Sequence, residues 1–415
     1  MNHPFRALRH RDFRLFVLGQ GAGILGYWIQ LIAVHWLIYR MTGSALLLGV
    51  TVFAAQIPVL LLGPIAGALA DRVDRHRAFV WVQSLELLQA VAMATLAYLG
   101  VIEPWHMIAL TAFLGMTIAV ELPVRHAYLP DLLDDRADLP NAVAVTSLIG
   151  SAGRLVGPSV AGVMIAVFSE ASCFLLNAAS FLIVLATLAA IRRKPHRPVA
   201  QPHPMWTELR EGALYAWRSR PIRALLIVLA TVAFMATPYQ PLMPAFVAQA
   251  FQGGPETLGF LLAAAGFGAL VGTLYLSTRG GVEGLSRLIA GAALCAGCAL
   301  VAFAITRWYA LSLALMAVTG FGILAVTVSV NMILQASVED RMRGRIMSLY
   351  TAAFLGVAPL GGLVAGAVAD RIGAAHTLLL GGACCALAGL ALARARVRLV
   401  AEAAASAAEP RAANE

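Results

Sequence analysis

The stretch ALLLGVTVFAAQIPVLLLGPIAGALADRVDRHR, residues 45–77, decides the fold class. Its first part, residues 45–70, carries no charge, and the residues that follow include Asp71, Arg72, Asp74, Arg75 and Arg77. A helix of about 20 apolar residues crosses a hydrocarbon core of about 30 Å. The stretch therefore reads as one membrane span ending in an aqueous loop. The same alternation runs the length of the chain, with apolar runs near 13–39, 45–70, 78–99, 105–123, 140–168, 171–191, 222–249, 256–278, 284–305, 309–336, 344–369 and 375–393. Several of these twelve runs are longer than a span needs, so tilted helices or ends outside the bilayer are expected. Of the 415 residues, 60% are hydrophobic and 12% charged, against roughly 45–50% and 25% in a soluble domain. Such a chain cannot coat two soluble domains with charge. The composition specifies an all-α polytopic membrane protein and excludes secreted, fibrous, disordered and disulfide-stapled classes.

The net charge of +9 lies in short loops between spans, which excludes nucleic acid as its reason. With the N-terminus inside, all of the 30 Lys and Arg residues except Arg40, Arg307, Arg371 and Arg154 fall on the cytoplasmic side. That bias orients the chain with both termini in the cytoplasm. Cys173, Cys295, Cys298, Cys384 and Cys385 sit in or beside apolar runs and read as small packing residues, with no metal site and no cofactor expected. No Ser/His/Asp or Cys/His set suggests an enzyme.

A polar segment, 192–221, divides the chain into six-span bundles at 1–191 and 222–398. Within it, Met205–Arg220 reads as a surface helix with Trp206, Leu209, Ala213 and Trp217 on one side. The tail, 399–415, is Ala/Glu/Pro-rich and expected to be disordered. The halves resemble each other. Asp134-Asp135-Arg136 precedes span 5 and Glu339-Asp340-Arg341 precedes span 11. Span 5 carries Gly153, Gly157, Pro158 and Gly162, and span 11 carries Gly356, Pro359, Gly361, Gly362 and Gly366. Small residues at this spacing let helices approach closely, which predicts two matched packing faces between the halves. Paired repeats are a common plan of secondary transporters.

The loop after span 2, Gly67-Ala-Leu-Ala-Asp71-Arg72-Val-Asp74-Arg75-His-Arg77, reads as a latch. Gly67 permits close helix contact, Asp71 can face the positive N-terminus of another helix, and Arg72, Arg75 and Arg77 can pair with loop carboxylates. The loop resembles the signature G-x-x-x-D-R-x-G-R-[RK] of the major facilitator superfamily, with Asp74 where that family has Gly. The runs Pro123-Val-Arg125-His-Ala-Tyr-Leu-Pro130, Arg154-Leu-Val-Gly157-Pro158 and Arg343-Gly344-Arg345 are similar to its enterobactin-exporter branch, and Arg125 joins the latch set. The resemblance covers nearly the whole chain to about residue 398. It implies two six-helix bundles with pseudo-two-fold symmetry, alternating access and proton-driven export of siderophores, macrolides or other amphiphiles from a bacterial inner membrane.

Energy supply can be read independently. The sole lysine, Lys194, has no glycine near it, so a P-loop is absent and an ion gradient is the expected source. Proton coupling needs a protonatable group inside the membrane, where charges are costly. The candidates are Glu86, roughly 14 Å deep at 1.5 Å per residue, Glu121 near the end of span 4, and Arg154 in mid-span 5 as a partner of Glu86 or a gating charge. By the resemblance, spans 1, 4, 7 and 10 line the cavity. Their polar and aromatic residues are Gln20, Tyr27, Trp28 and Gln30, then Thr117, then Phe234 and Tyr239, and finally Thr327, Asn331 and Gln335. Pro238 and Pro241 predict a bend near the outer end of span 7. The expected partners are a small-molecule substrate, protons and the bilayer, with the chain a monomer. A metabolite facilitator or importer, a lysophospholipid carrier and a non-transporting sensor are the alternatives.

Overall fold

The computed structural model describes residues 6–70, 73–192, 215–217, 219–279, 281–338 and 340–408. Twelve helices in it are long and apolar enough to cross a membrane. In lipid a backbone must satisfy its own hydrogen bonds, and a helix does so within one segment. Spans 1–6 are Arg11–Thr42, Ala45–Ala70, Arg75–Tyr98, Pro104–Tyr128, Leu139–Val167 and Glu170–Ala190. Span 7 is Arg220–Met235, Tyr239–Phe246 and a π-turn Val247–Phe251; spans 8–10 are Pro255–Ser277, Leu285–Ile305 and Tyr309–Ser337. Span 11 is Asp340–Thr351, a π-turn Ala352–Gly356 and Val357–Ile372, and span 12 is Ala374–Ala408.

Local sequence explains the boundaries. Gly43 takes φ 65° and returns its N–H to the Tyr39 carbonyl, closing span 1. Asp74 caps span 3 by accepting from the Arg77 N–H at 3.0 Å. Proline has no N–H and clashes with the carbonyl four residues back, so Pro238 and Pro241 interrupt span 7 at 236–238. The interruption lies mid-span and not near the outer end. Span 12 continues through Ala408, because Ala and Glu are strong helix formers; the sequence had suggested disorder from 399. The expected surface helix Met205–Arg220 lies mostly outside the described residues, as do Asp71 and Arg72 of the latch and Glu339 of the repeat.

The spans form two six-helix bundles. In the first, span 1 packs on spans 5 and 6, span 2 on span 4, and span 3 on spans 4 and 6. In the second, span 9 packs on spans 10 and 12, span 8 on span 10, and span 7 on spans 11 and 12. The bundles meet through span 5 on span 8 and span 2 on span 11. Trp81, Leu88 and Leu182 are among the large apolar side chains left exposed, as a lipid-facing surface requires.

Glycines make the two main contacts between bundles. Gly162 and Gly259 face each other, beside the Pro255 and Pro158 carbonyls, so neither has room for a Cβ. Gly49 meets the Gly362 carbonyl, and Gly366 meets the Ala45 carbonyl. These contacts lie toward the side of the membrane opposite the N-terminal segment and the loop after span 2. One apolar core, including Ile29 and Ile38 of the first bundle and Phe246 and Phe303 of the second, joins the halves there. The other side, the basic side, differs. Down the same stripe of span 2, Leu60 still touches Gly356, but a Cβ on Gly63 would meet nothing within 4 Å. The halves therefore part toward the basic side and close on the opposite side.

Candidate functional site

A cavity of 370 Å³ lies between the two halves. Span 1 gives it Tyr27, Trp28 and His35; span 2 gives Thr51 and Gln56; span 4 gives Thr111. Span 5 contributes Arg154, and the interruption of span 7 contributes Thr237, Tyr239 and Gln240. Packing dictates this wall. Gly153 and Gly157 of span 5 leave room for Trp28, whose Cβ and Cδ1 lie against them. The next residue, Arg154, is thereby carried into the cavity, with its guanidinium carbon 5.5 Å from the centre of the Trp28 ring. The proline interruption turns Tyr239 and Gln240 into the space, which an unbroken helix would not.

Of the residues expected to line the cavity, Tyr27, Trp28 and Tyr239 are in its wall. Gln30 instead points into the first bundle, where it donates to Gln89 at 3.1 Å and accepts from Asn177 at 2.8 Å. Gln20 accepts from Arg125 at 3.4 Å, and Thr117 donates to the Leu114 carbonyl, both buried. Phe234 lies against Gly361 of span 11. Thr327 bonds back to the carbonyls of its own helix, and Gln335 donates to Asn331 at 2.6 Å below the cavity. A helical wheel gives a residue's face but not the neighbour that the face meets. His35, Thr51, Gln56 and Thr111 were absent from the expected lining for the same reason.

The intramembrane carboxylates form a second cluster beside the cavity. Glu86 is 3% exposed; one of its oxygens accepts from Gln83 at 2.8 Å, and Oε1 has no hydrogen-bond partner among the described residues. Glu121, 9% exposed, pairs with Arg125 at 3.1 Å one turn along span 4. The expected Glu86–Arg154 pair is not made. Span 3 packs on spans 4 and 6, which turns Glu86 into the first bundle, whereas Arg154 faces the space between bundles.

Charged contacts mark both ends of the molecule. On the basic side, Arg75 donates to the Ala127 carbonyl at 2.9 Å and reaches Asp131 at 3.3 Å. Arg77 lies 3.6 Å from Asp74. His10 bonds to Asp138 at 2.8 Å and Arg6 pairs with it at 2.9 Å, which ties the N-terminal segment to the start of span 5. On the opposite side, Asp370 at the end of span 11 holds the start of span 2. Its Oδ1 accepts from the Ala45 N–H at 2.6 Å and its Oδ2 from the Ser44 hydroxyl at 2.8 Å. Gln249 of span 7 donates to the Tyr39 hydroxyl of span 1 at 3.3 Å nearby. Asp370 was not among the expected residues, although a signal for it existed. Gly366-Ala-Val-Ala-Asp370-Arg371 repeats Gly67-Ala-Leu-Ala-Asp71-Arg72 at the other face of the membrane.

Comparison with known proteins places this geometry. Residues 2–414 match the family described as transmembrane secretion effector. The staphyloferrin A transporter of Staphylococcus aureus is 27% identical over 372 residues, covering 86% of this chain and 89% of the relative. The multidrug efflux pump Tap of Mycolicibacterium fortuitum is 25% identical over 376 residues, covering 88% and 90%. Among solved structures, the nucleoside transporter NupG superposes with a TM-score of 0.71 at 13% identity over 92% of this chain and 98% of that one. A bacterial homologue of the human lysosomal transporter Spinster, solved inward-facing and unoccupied, gives 0.68 at 13% identity over 94% and 98%. With twelve spans in two bundles, a cavity between them and a family match over almost its whole length, the chain belongs to the transmembrane secretion effector family of the major facilitator superfamily.

Proposed function

We propose that the chain is a proton-coupled exporter of amphiphilic small molecules, of siderophore or drug type, working by alternating access as a monomer in a bacterial inner membrane. The observation that carries this reading is a cavity between two bundles, closed on one side, with the buried Glu86–Glu121 cluster next to it. The names of the similar transporters, for staphyloferrin A and for multiple drugs, support the substrate class. The basic side is the cytoplasmic one, by the positive bias of its loops.

Substrate enters the cavity from the cytoplasm or the inner leaflet while the basic side is open. The halves then rock about the substrate, a motion that suits bundles meeting along two narrow stripes of small residues. A proton from outside reaches the Glu86–Glu121 cluster. The neutral form is cheaper to hold away from water, so protonation favours the return to the basic-side-open state. Asp71 and its arginine neighbours set the balance between states.

The test uses proteoliposomes loaded with a pH dye, challenged with catecholate siderophores, macrolides, lipophilic cations and lysolipids. Glu86→Gln and Glu121→Gln are run beside the unmodified chain. Proton movement triggered by one class and lost in one variant is expected. Compound flux without proton movement would sink the antiport reading in favour of a facilitator.

A further inference from the structure

We propose, resting on the reading of this cavity as the transport site, that it selects anions: the substrate is a small amphiphile with a carboxylate that sits on Arg154 and an aromatic or apolar part that lies on Trp28 and Tyr27. A guanidinium in mid-membrane is costly. It therefore normally has a counter-charge. Arg154 has none among the described residues: it makes no ion pair and no hydrogen bond to any of them, and its contact is the Trp28 ring at 5.5 Å. Glu121 is taken by Arg125 and Glu86 by Gln83, both turned into the first bundle. Among the described residues no carboxylate lines the cavity.

Arg154 is also held in place. Its carbonyl lies against Gly266 of span 8, where a Cβ would not fit, and Trp28 is fixed by Gly157. A planar guanidinium with one face over an aromatic ring keeps its N–H edge free for the two oxygens of a carboxylate. A cation in the same cavity meets the charge of Arg154, while Glu121 beside the cavity is already paired with Arg125.

A second polar group in the wall awaits a partner. His35 is 3% exposed, lines the cavity, and its Nε2 has no hydrogen-bond partner among the described residues. It stands two turns along span 1 from Trp28, roughly 10 Å away at 1.5 Å per residue. The substrate is thus an elongated anion with a second polar group about that far from the part that lies on Trp28. Tyr239 and Gln240 of the other bundle close the wall opposite Arg154. Such a substrate touches both halves at once, and only a ligand with different contacts in the two states can shift their populations.

The experiment measures calorimetric binding to the purified full-length chain in nanodiscs. Three matched probes are used: 2-naphthoate, 2-naphthamide and 2-naphthylmethylammonium. The carboxylate should bind about ten- to hundredfold tighter than the amide, the range of a charged hydrogen bond, and the ammonium more weakly than either. Arg154→Gln should bring the carboxylate to the level of the amide. Arg154→Lys, which keeps the charge, should restore part of the preference and so separate charge from folding. Equal binding of amide and carboxylate, or a preference that survives in Arg154→Gln, overturns the proposal. So does lysophosphatidylglycerol binding tighter than naphthoate, which would make the anion a lipid headgroup. Binding needs no proton gradient, so the two readings fail separately. Lost anion preference with proton-coupled flux intact removes this proposal alone, and intact preference without flux removes the export reading alone.

Discussion

Replacing Asp370 should open the side of the molecule that this structure holds closed. The carboxylate joins the last turn of span 11 to the first residues of span 2 by bonds of 2.6 Å from the Ala45 N–H and 2.8 Å from the Ser44 hydroxyl. It is an N-cap supplied by the opposite half. Removing an N-cap acceptor costs about 0.5–2 kcal/mol, and the charge at the helix N-terminus contributes about 0.3–1 kcal/mol of the interaction. These contacts exist only while the halves touch, so the loss falls on the closed state. Asp370→Ala should shift the balance by about 1–2 kcal/mol, a factor of roughly 5–30 in population. Asp370→Asn keeps an acceptor without the charge and should shift it less. Spin labels at Phe168 and Trp308, exposed loop residues of the two halves at 73% and 69%, report the separation in a cysteine-free background. Pulsed dipolar spectra should gain a longer-distance component in Asp370→Ala and a smaller one in Ser44→Ala. An unchanged distribution in Asp370→Ala would show that the carboxylate does not hold the two halves, and would refute the reasoning.

The two buried glutamates should separate in stability as well as in coupling. Glu86→Gln removes a buried carboxylate with an unpartnered oxygen and should leave the melting temperature unchanged or raised, whereas Glu121→Gln leaves Arg125 without its acid and should lower stability by about 1.5–3 kcal/mol, the worth of a charged hydrogen bond. Gly162→Val places side-chain atoms against Pro255 and Gly259, so the labelled pair above should lengthen even though no charge is changed. Asp74→Ala deletes the cap of span 3 and should cost about 0.5–2 kcal/mol, read as faster amide exchange in the first turn after Arg75, while Asp74→Gly, the residue usual in the signature, should cost only a few tenths.

Much of this could be read along the chain, and for one physical reason. Membrane insertion acts on one segment at a time, through length, hydropathy and flanking charge, and all three are properties of a linear sequence. The twelve spans and the division into two bundles follow from it. So do the small-residue stripes of spans 5 and 11, because a missing side chain is visible whatever it faces. The break in span 7 was legible as two prolines, though its depth in the membrane was not.

What the polar residues do was settled only by tertiary packing. Trp28 and Gln30 stand two apart on one helix, yet one borders the cavity and the other bonds to Gln89 and Asn177. Glu86 and Arg154 looked like partners because each was a lone charge in a span; the packing of spans 3 and 5 turns them into different spaces. That Asp370 holds the start of span 2 could be recognised only when span 11 was laid beside it. By itself the sequence determined how many helices cross the membrane and where they can approach, since each helix carries that information in its own residues. Which side chains share a cavity, pair or gate was decided by the tertiary structure, because those properties belong to the space between helices.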